Sequence, residues 1–439
     1  MRPYPPLGIL YISAYLQRKD IEHAVFDTTF SNIAAFKAYL LDKRPPIVAF
    51  YTNLMTKLNV LQLTSFIRAS GLPIKVILGG PDVTHNCADY LSNGADVIVI
   101  GEAEQTMAEL VPALESGTDL SLVDGIAFFN AQQTLIRTKG REKMKSLEEL
   151  PQPNRSAIPI EKYLETWKTF HGQSSMTVST QRGCPYTCKW CSTAVYGQSY
   201  RRRPAKQVAA ELAMLKHTYR PDAVWFVDDV FTVSHKWLQE FHQEVIAQDA
   251  VIPFECITRA ERLNDDILQL LKDAGCFRIW IGAESGSQDI IDEMDRRVDV
   301  EVVKTMIQRT NALGIETGTF IMLGYPKETF ADISKTIEYL KEANPTHFTI
   351  TIAYPIKGTG LYQQVEQDIT VRPEWNKSTD RDLDFKRTFP RRFYDFAVAK
   401  VTSEVLFHKL RLQQKQYSYT ALRLWMRLRY LDLRMKQYL

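Results

Sequence analysis

Two stretches of the chain alternate short β-branched runs with helical patterns, and this alternation restricts the fold more than any other feature. In residues 1–130 the runs Ala24–Asp27, Ile47–Thr52, Lys75–Gly80, Val97–Glu102 and Gly125–Phe129 read as buried strands. Between them lie segments with apolar residues at three- and four-residue spacing. Strands separated by helices favour a parallel sheet, because each helix carries the chain back to the end of the sheet where the preceding strand began. The second alternation begins near residue 175. Its strands are 175–183, 223–229, 253–260, 278–285, 316–324 and 347–355, with helices starting near Pro204, Ser234, Asn264, Val300 and Phe330. Six β/α units over this length fit a partial (βα)6 barrel or a large open sheet. Between the alternations, Pro151, Pro153 and Pro159 mark a linker. The expected domains are 1–130, a linker at 131–172, a barrel at 173–365 and a helical region at 366–439.

Composition narrows the function. With 54 Lys+Arg, 51 Asp+Glu and a net charge of +3, general nucleic-acid binding is not expected. No run reaches the ~18 apolar residues that span a bilayer, and the N-terminus lacks the pattern of a signal peptide. Six cysteines in 439 residues exclude a disulfide scaffold, so a reducing, cytoplasmic setting is expected. Cys87, Cys256 and Cys276 are scattered, and the latter two read as buried thiols. Cys184, Cys188 and Cys191 fall within eight residues, in the loop after the first barrel strand. Three thiolates do not complete a four-ligand zinc site. They can hold three irons of a [4Fe–4S] cube and leave the fourth open. A structural zinc site completed by a distant histidine is the alternative.

The Cys-x3-Cys-x2-Cys loop, with Trp190 just before its last cysteine, resembles the cluster loop of radical S-adenosylmethionine (SAM) enzymes. The resemblance implies a cluster whose open iron chelates SAM, reduction by an external one-electron donor, and a 5′-deoxyadenosyl radical that takes hydrogen from an unactivated carbon. It extends to other strand ends. Asp228 and Asp229 match the segment that engages SAM's amino group, with an ordinary helix N-cap as the alternative. Arg259 is placed to pair with a carboxylate, and Glu284 resembles the ribose-contacting position. Gly318 and Phe320 resemble the fifth-strand motif beside the adenine, where Glu328 is expected to brace a helix start. Tyr354 lies in the sixth-strand turn. Arg201–Arg203 resembles a basic lead-in to the first barrel helix, read as SAM-contacting, loop-bracing or solvated.

Residues 5–130 resemble the cobalamin-binding domain that precedes the barrel in one subfamily, that of cobalamin-dependent methylases and the anaerobic magnesium-protoporphyrin ester cyclase. The matching positions are Pro6, Gly8, Tyr51, Thr52, Gly79, Gly80, Pro81, Gly101 and Glu102. The Asp-x-His-x-x-Gly motif is absent and His85 has the wrong spacing, so cobalamin is expected without a protein histidine on cobalt. The domain is expected to lack its first, central strand, since the chain opens on Met1-Arg2-Pro3-Tyr4.

The implied enzyme modifies a bulky small molecule, an apolar polycyclic compound or a tetrapyrrole, by methyl transfer or oxidative cyclisation. A methylthiotransferase and a non-enzymatic corrinoid- or metal-binding protein are the alternatives; the former would need three cysteines before the barrel, where only Cys87 occurs. Residues 386–439 hold 13 Lys/Arg against 3 Asp/Glu. This tail reads either as helices covering the open barrel edge or as a contact for a membrane surface or amphiphilic substrate.

Overall fold

The computed structural model describes residues 3–438. The chain divides into two compact units, one of residues 1–186, 192–224 and 372–382, the other of 187–191, 225–371 and 383–439.

The first unit opens with helices α1 (Leu7–Arg18) and α2 (Ile33–Lys43). Strand β1 (Ile47–Tyr51), α3 (Lys57–Ala69), β2 (Lys75–Gly79), α4 (Cys87–Ser92), β3 (Val97–Val99) and α5 (Glu104–Ser116) follow, and β4 (Ile126–Phe129) and β5 (Leu135–Arg137) complete a five-stranded sheet. The sheet runs β1-β2-β3-β4-β5, with the first three parallel and the last two antiparallel. Its strands are apolar on both faces because helices cover both. Val76, Leu78 and Ile98 pack with Leu40, Ile67 and Tyr90 on one side. Ile77, Val97 and Val99 pack with Leu16, Met107 and Leu110 on the other.

Residues 24–27, expected as a strand, form none. In a doubly wound sheet that segment would pair with the central first strand, and no strand precedes β1 among the described residues. The segment is held instead by side chains: Phe26 packs on Phe36 and Tyr39. The expected linker is also structured. It contains β5, whose hairpin pairs Ala127 with Arg137, and α6 (Ile160–His171). The prolines sit outside both elements, so they punctuate the segment without unfolding it. After α6 come β6 (Ser175–Val178), β7 (Gln181–Arg182), β8 (Arg201–Arg202), α7 (Ala205–Thr218) and β9 (Ala223–Phe226).

The second unit continues with α8 (His235–Ala247), β10 (Phe254–Thr258), α9 (Asp265–Asp273), β11 (Cys276–Glu284), α10 (Gln288–Glu293) and α11 (Val300–Ala312). Next are β12 (Glu316–Leu323), α12 (Phe330–Ala343), β13 (His347–Ile352) and α13 (Gly360–Val365). The six-stranded sheet runs β13-β12-β11-β10-β9-β6, and β10 to β13 pair in parallel. The helix starts follow local capping chemistry. Ser234 accepts from Trp237 N at 3.2 Å, Asn264 from Ile267 N at 2.9 Å, and Thr329 forms a capping box with Asp332. The C-terminal helices α14 (Arg391–Leu412) and α15 (Tyr419–Met435) form a hairpin, with α14 against α12 and the edge strand β13.

Candidate functional site

The cysteine loop is entered through a turn that only glycine fits. Gly183 has φ +81°, and a Cβ there would lie 2.3 Å from the Ser199 carbonyl oxygen. Further along, Lys189 N donates to Met294 O at 3.1 Å, Lys189 O accepts from Leu361 N at 2.7 Å, and Thr187 Oγ1 donates to Asp295 at 3.0 Å. Trp190 packs against a cluster containing Met294, Tyr325 and Leu361. Expected as a SAM contact, it anchors the loop to the barrel. None of the three is in a disulfide; Cys184 and Cys188 are half-buried and Cys191 is exposed. Among the described residues no three His, Cys, Asp or Glu side chains converge closely enough to hold one ion. Cysteines that each serve a different iron of a cube need not converge on one point, so the donor set fits a cluster.

Four strand ends carry the expected polar groups, and one of them, Arg259, reaches this loop. After β9, Asp228 is buried and Asp229 open to solvent. Although the residue is exposed, partial desolvation of its carboxylate and then the neighbouring charge of Asp228 raise the Asp229 carboxyl above the usual range. After β10, Arg259 donates to Glu261 Oε1, to Cys188 Sγ at 3.4 Å and to Arg296 O. The expected bidentate fork is therefore committed: Arg259 supports a cluster thiol. Glu284 ends β11 at φ +67°, uncommon for a residue with a Cβ. Burial pushes its carboxyl up to about 7, against the pull of Arg296 and Arg259. Arg296 Nη2 donates to Gly282 O at 3.1 Å, while its buried Nη1 has no hydrogen-bond partner. An ionisable carboxylate beside an unfilled guanidinium N–H fits a zwitterionic ligand rich in hydroxyls. Tyr354 follows β13, half-buried.

Gly318 and Phe320 sit in the first half and middle of β12, not at its carboxyl end. A Cβ on Gly318 would lie 2.3 Å from the Trp280 ring, so this glycine admits the indole. Trp280 stacks on Phe320 with centroids 5.1 Å apart and planes at 18°. Glu328, expected to brace a helix start, instead accepts from Gly324 N at 2.6 Å, and burial raises its carboxyl to about 8.

In the first unit the expected corrinoid positions fall at three places. Thr52 N donates to Gly79 O at 2.7 Å, and a Cβ on Gly80, at φ +112°, would lie 2.4 Å from Thr52 O. The ends of β1 and β2 are thus in close contact, with the buried Thr52 hydroxyl lacking a hydrogen-bond partner and Tyr51 exposed beside it. This cradle of backbone and one hydroxyl fits a large ligand bound without a histidine. Pro81 continues the turn. Pro6 and Gly8 open α1, where a Cβ on Gly8 would meet nothing within 4 Å. Gly101 precedes Glu102 at φ +83°. Glu102, however, is spent on other partners: Arg182 Nη1 at 3.0 Å and Arg201. Arg182 also pairs with Glu104.

This network was the least legible part of the sequence. Arg203, expected among solvated arginines, is 2% exposed and pairs at 2.6 Å with Glu211. Glu211 also binds Arg155 at 2.8 Å. Arg155, Glu211 and Arg296 carry no sequence signal, since charged residues are usually surface residues.

Comparison with known proteins decides what these strand ends belong to. The B12 binding domain profile matches residues 2–111 and the Radical SAM superfamily profile matches 178–340. The chain belongs to the radical SAM enzymes that carry a B12-binding domain. An uncharacterized methyltransferase of Pyrococcus horikoshii is 26% identical over 388 residues, 86% of this chain and 82% of that protein. The anaerobic magnesium-protoporphyrin IX monomethyl ester cyclase of Rubrivivax gelatinosus is 24% identical, covering 84% of this chain and 67% of its own. The cobalamin-dependent SAM radical enzyme OxsB shares the fold, with TM-score 0.76 at 17% identity over 98% of this chain and 70% of that one. The radical SAM methyltransferase TsrM from Kitasatospora setae gives 0.70 at 17% identity, covering 85% and 77%. This radical SAM enzyme thus takes a [4Fe–4S] cluster, SAM and cobalamin as its cofactors. Among the described residues no helix is long and apolar enough to cross a membrane.

Proposed function

We propose that this radical SAM enzyme is a cobalamin-dependent methyltransferase that alkylates an unactivated carbon of a bulky, flat, apolar small molecule. Cys184, Cys188 and Cys191 would each take one iron. Bound together, the cluster and SAM supply a hydrogen-abstracting radical, and the corrinoid supplies a methyl group. The protein's own part is positional. Arg259 donates to the Cys188 sulfur, while Asp228, Asp229 and Glu284 would present oxygens to SAM's amino and ribose groups. Trp190 anchors the loop, Tyr354 would contribute from the sixth-strand turn, and Thr52, Gly79, Gly80 and Pro81 would form the corrinoid cradle.

The observation that carries this reading is the Arg259 guanidinium, which links the cysteine loop (Cys188) to the Arg296–Glu284 strand end. The half-buried stack of Trp280 and Phe320, with Trp225 6.4 Å from Trp280, supports a planar apolar substrate. Relatives that methylate bacteriochlorophyllide and hopanoids favour the same class. Oxidative ring closure, the reaction of the cyclase relatives, is the second reading, favoured by their coverage of the chain.

The test is anaerobic reconstitution with iron, sulfide and hydroxocobalamin, followed by dithionite and SAM. Formation of 5′-deoxyadenosine with a product heavier by one methylene supports methyl transfer. A product lighter by two hydrogens, or an oxygenated one, supports cyclisation. No 5′-deoxyadenosine from a cluster-loaded protein refutes both.

A further inference from the structure

Helix α15 is amphipathic twice over. Ala421, Leu428, Leu431 and Met435 are buried on its inner face. The opposite face carries Tyr419, Leu422, Met426, Tyr430 and Leu433, each more than half exposed and spaced at three- and four-residue intervals. A surface helix of a globular protein ordinarily puts charges there. Here arginines flank the apolar stripe instead, Arg423 and Arg427 on one side and Arg429 on the other. Residues 409–438 contain eight Lys/Arg and a single acidic residue, Asp432. Asp432 is turned away from the stripe and paired with Lys400 of α14.

Beside the stripe, α14 and α15 enclose a groove of about 250 Å³ lined by His408, Arg411, Trp425 and Arg429 together with the acidic Glu404 and Asp432. Arg429 lies over the Trp425 ring at 5.4 Å. The other cation in the lining, Lys341, is already paired with Glu404 at 3.1 Å. Thus an apolar ridge, an indole and several cations meet on one surface whose two carboxylates, Glu404 and Asp432, are each paired with a lysine.

We propose that this surface docks the protein on an anionic phospholipid membrane. The stripe would insert into the acyl boundary, the flanking arginines would meet headgroup phosphates, and the groove would hold one headgroup. Charge separates this occupant from a second copy of the chain. Two such stripes packed together would set arginine beside arginine with no acidic partner, which opposes self-association. At ~1.5 Å per residue the helix is long enough to lie along the interface. The proposal is independent of the catalytic reading, and its readout is binding.

The experiment is co-sedimentation of the full-length protein with vesicles of phosphatidylcholine alone or with about 30% phosphatidylglycerol. The expected result is binding to the anionic vesicles only, weakening as salt rises from about 0.05 to about 0.5 M. The variant Leu422→Gln/Met426→Gln/Leu433→Gln should bind at least about tenfold more weakly. Arg423→Glu/Arg427→Glu should lose the preference for anionic lipid. All five positions are exposed, so melting temperature and 5′-deoxyadenosine formation should match the wild type. Three results would overturn the proposal: no binding to anionic vesicles, equal binding of the variants, or a dimer that the glutamine variant dissolves.

Discussion

At the scale of single residues, two side chains carry the electrostatics of the site. Arg259 donates to the Cys188 sulfur, and hydrogen bonds to cluster sulfurs raise a cluster's potential. Arg259→Met should still load iron but show a more negative midpoint potential and slower reductive cleavage of SAM. A redox titration followed by EPR measures this, and an unshifted midpoint would remove Arg259 from that role. Glu284 is held at about 7, with burial raising it and Arg296 and Arg259 opposing. A carboxylate accepts hydrogen bonds from ribose hydroxyls at both oxygens, and protonation removes acceptor capacity. Affinity for SAM should therefore be full above about pH 8 and fall as pH drops through 7. Glu284→Gln should bind SAM weakly and with a flat pH profile. Isothermal titration of the cluster-loaded protein across this range distinguishes the two.

At the scale of elements, β12 shows how a motif residue can be placed correctly in a strand and still be given the wrong partner. Gly318 is a mid-strand glycine whose missing side chain makes room for the Trp280 indole. Gly318→Ala should force the ring off Phe320 and cost about 1–3 kcal/mol through overpacking. The expected signs are a lower melting temperature, a red-shifted tryptophan emission and 5′-deoxyadenosine formation uncoupled from product. Unchanged emission would mean that the stack does not depend on this glycine. The barrel strands and helix starts were legible because they rest on local signals, such as apolar runs and the Ser234, Asn264 and Thr329 caps. The segment at 24–27 has the same apolar character but lacks a partner strand, and strand identity depends on pairing as much as on composition. The cysteine loop was legible through its spacing. Its supports on Met294, Asp295 and Leu361 were not, because they join residues about a hundred or more positions apart in sequence.

At the scale of the whole molecule, the division into compact units departs from the boundaries expected at 130 and 173. The first unit runs through the linker, past β6 and on to α7, and a buried ion network accounts for this. Arg155 comes from the linker, Arg203 from the segment after the cysteine loop and Glu211 from α7. The Arg203 guanidinium also reaches the Tyr11 hydroxyl on α1 at 3.2 Å. Burial alone would raise the Glu211 carboxyl, but Arg203 and Arg155 overcome it and hold the group below the usual carboxylate range. A depressed carboxylate contributes stability above its unfolded pKa, and that contribution is lost as pH falls through the lower, folded value. The network should thus hold at neutral pH and fail only in acid. Glu211→Ala leaves two guanidinium groups buried without their shared partner, which should cost about 3–5 kcal/mol. Differential scanning calorimetry at neutral pH should show the loss, and the variant should lose less stability than the wild type on acidification. Replacing Arg155, Arg203 and Glu211 together by methionine removes every stranded charge, so much of the loss should return. If the triple variant regains its melting temperature but no longer accumulates 5′-deoxyadenosine, the network positions the segments flanking the cysteine loop beyond its contribution to stability. If activity returns as well, the buried charges act only through folding.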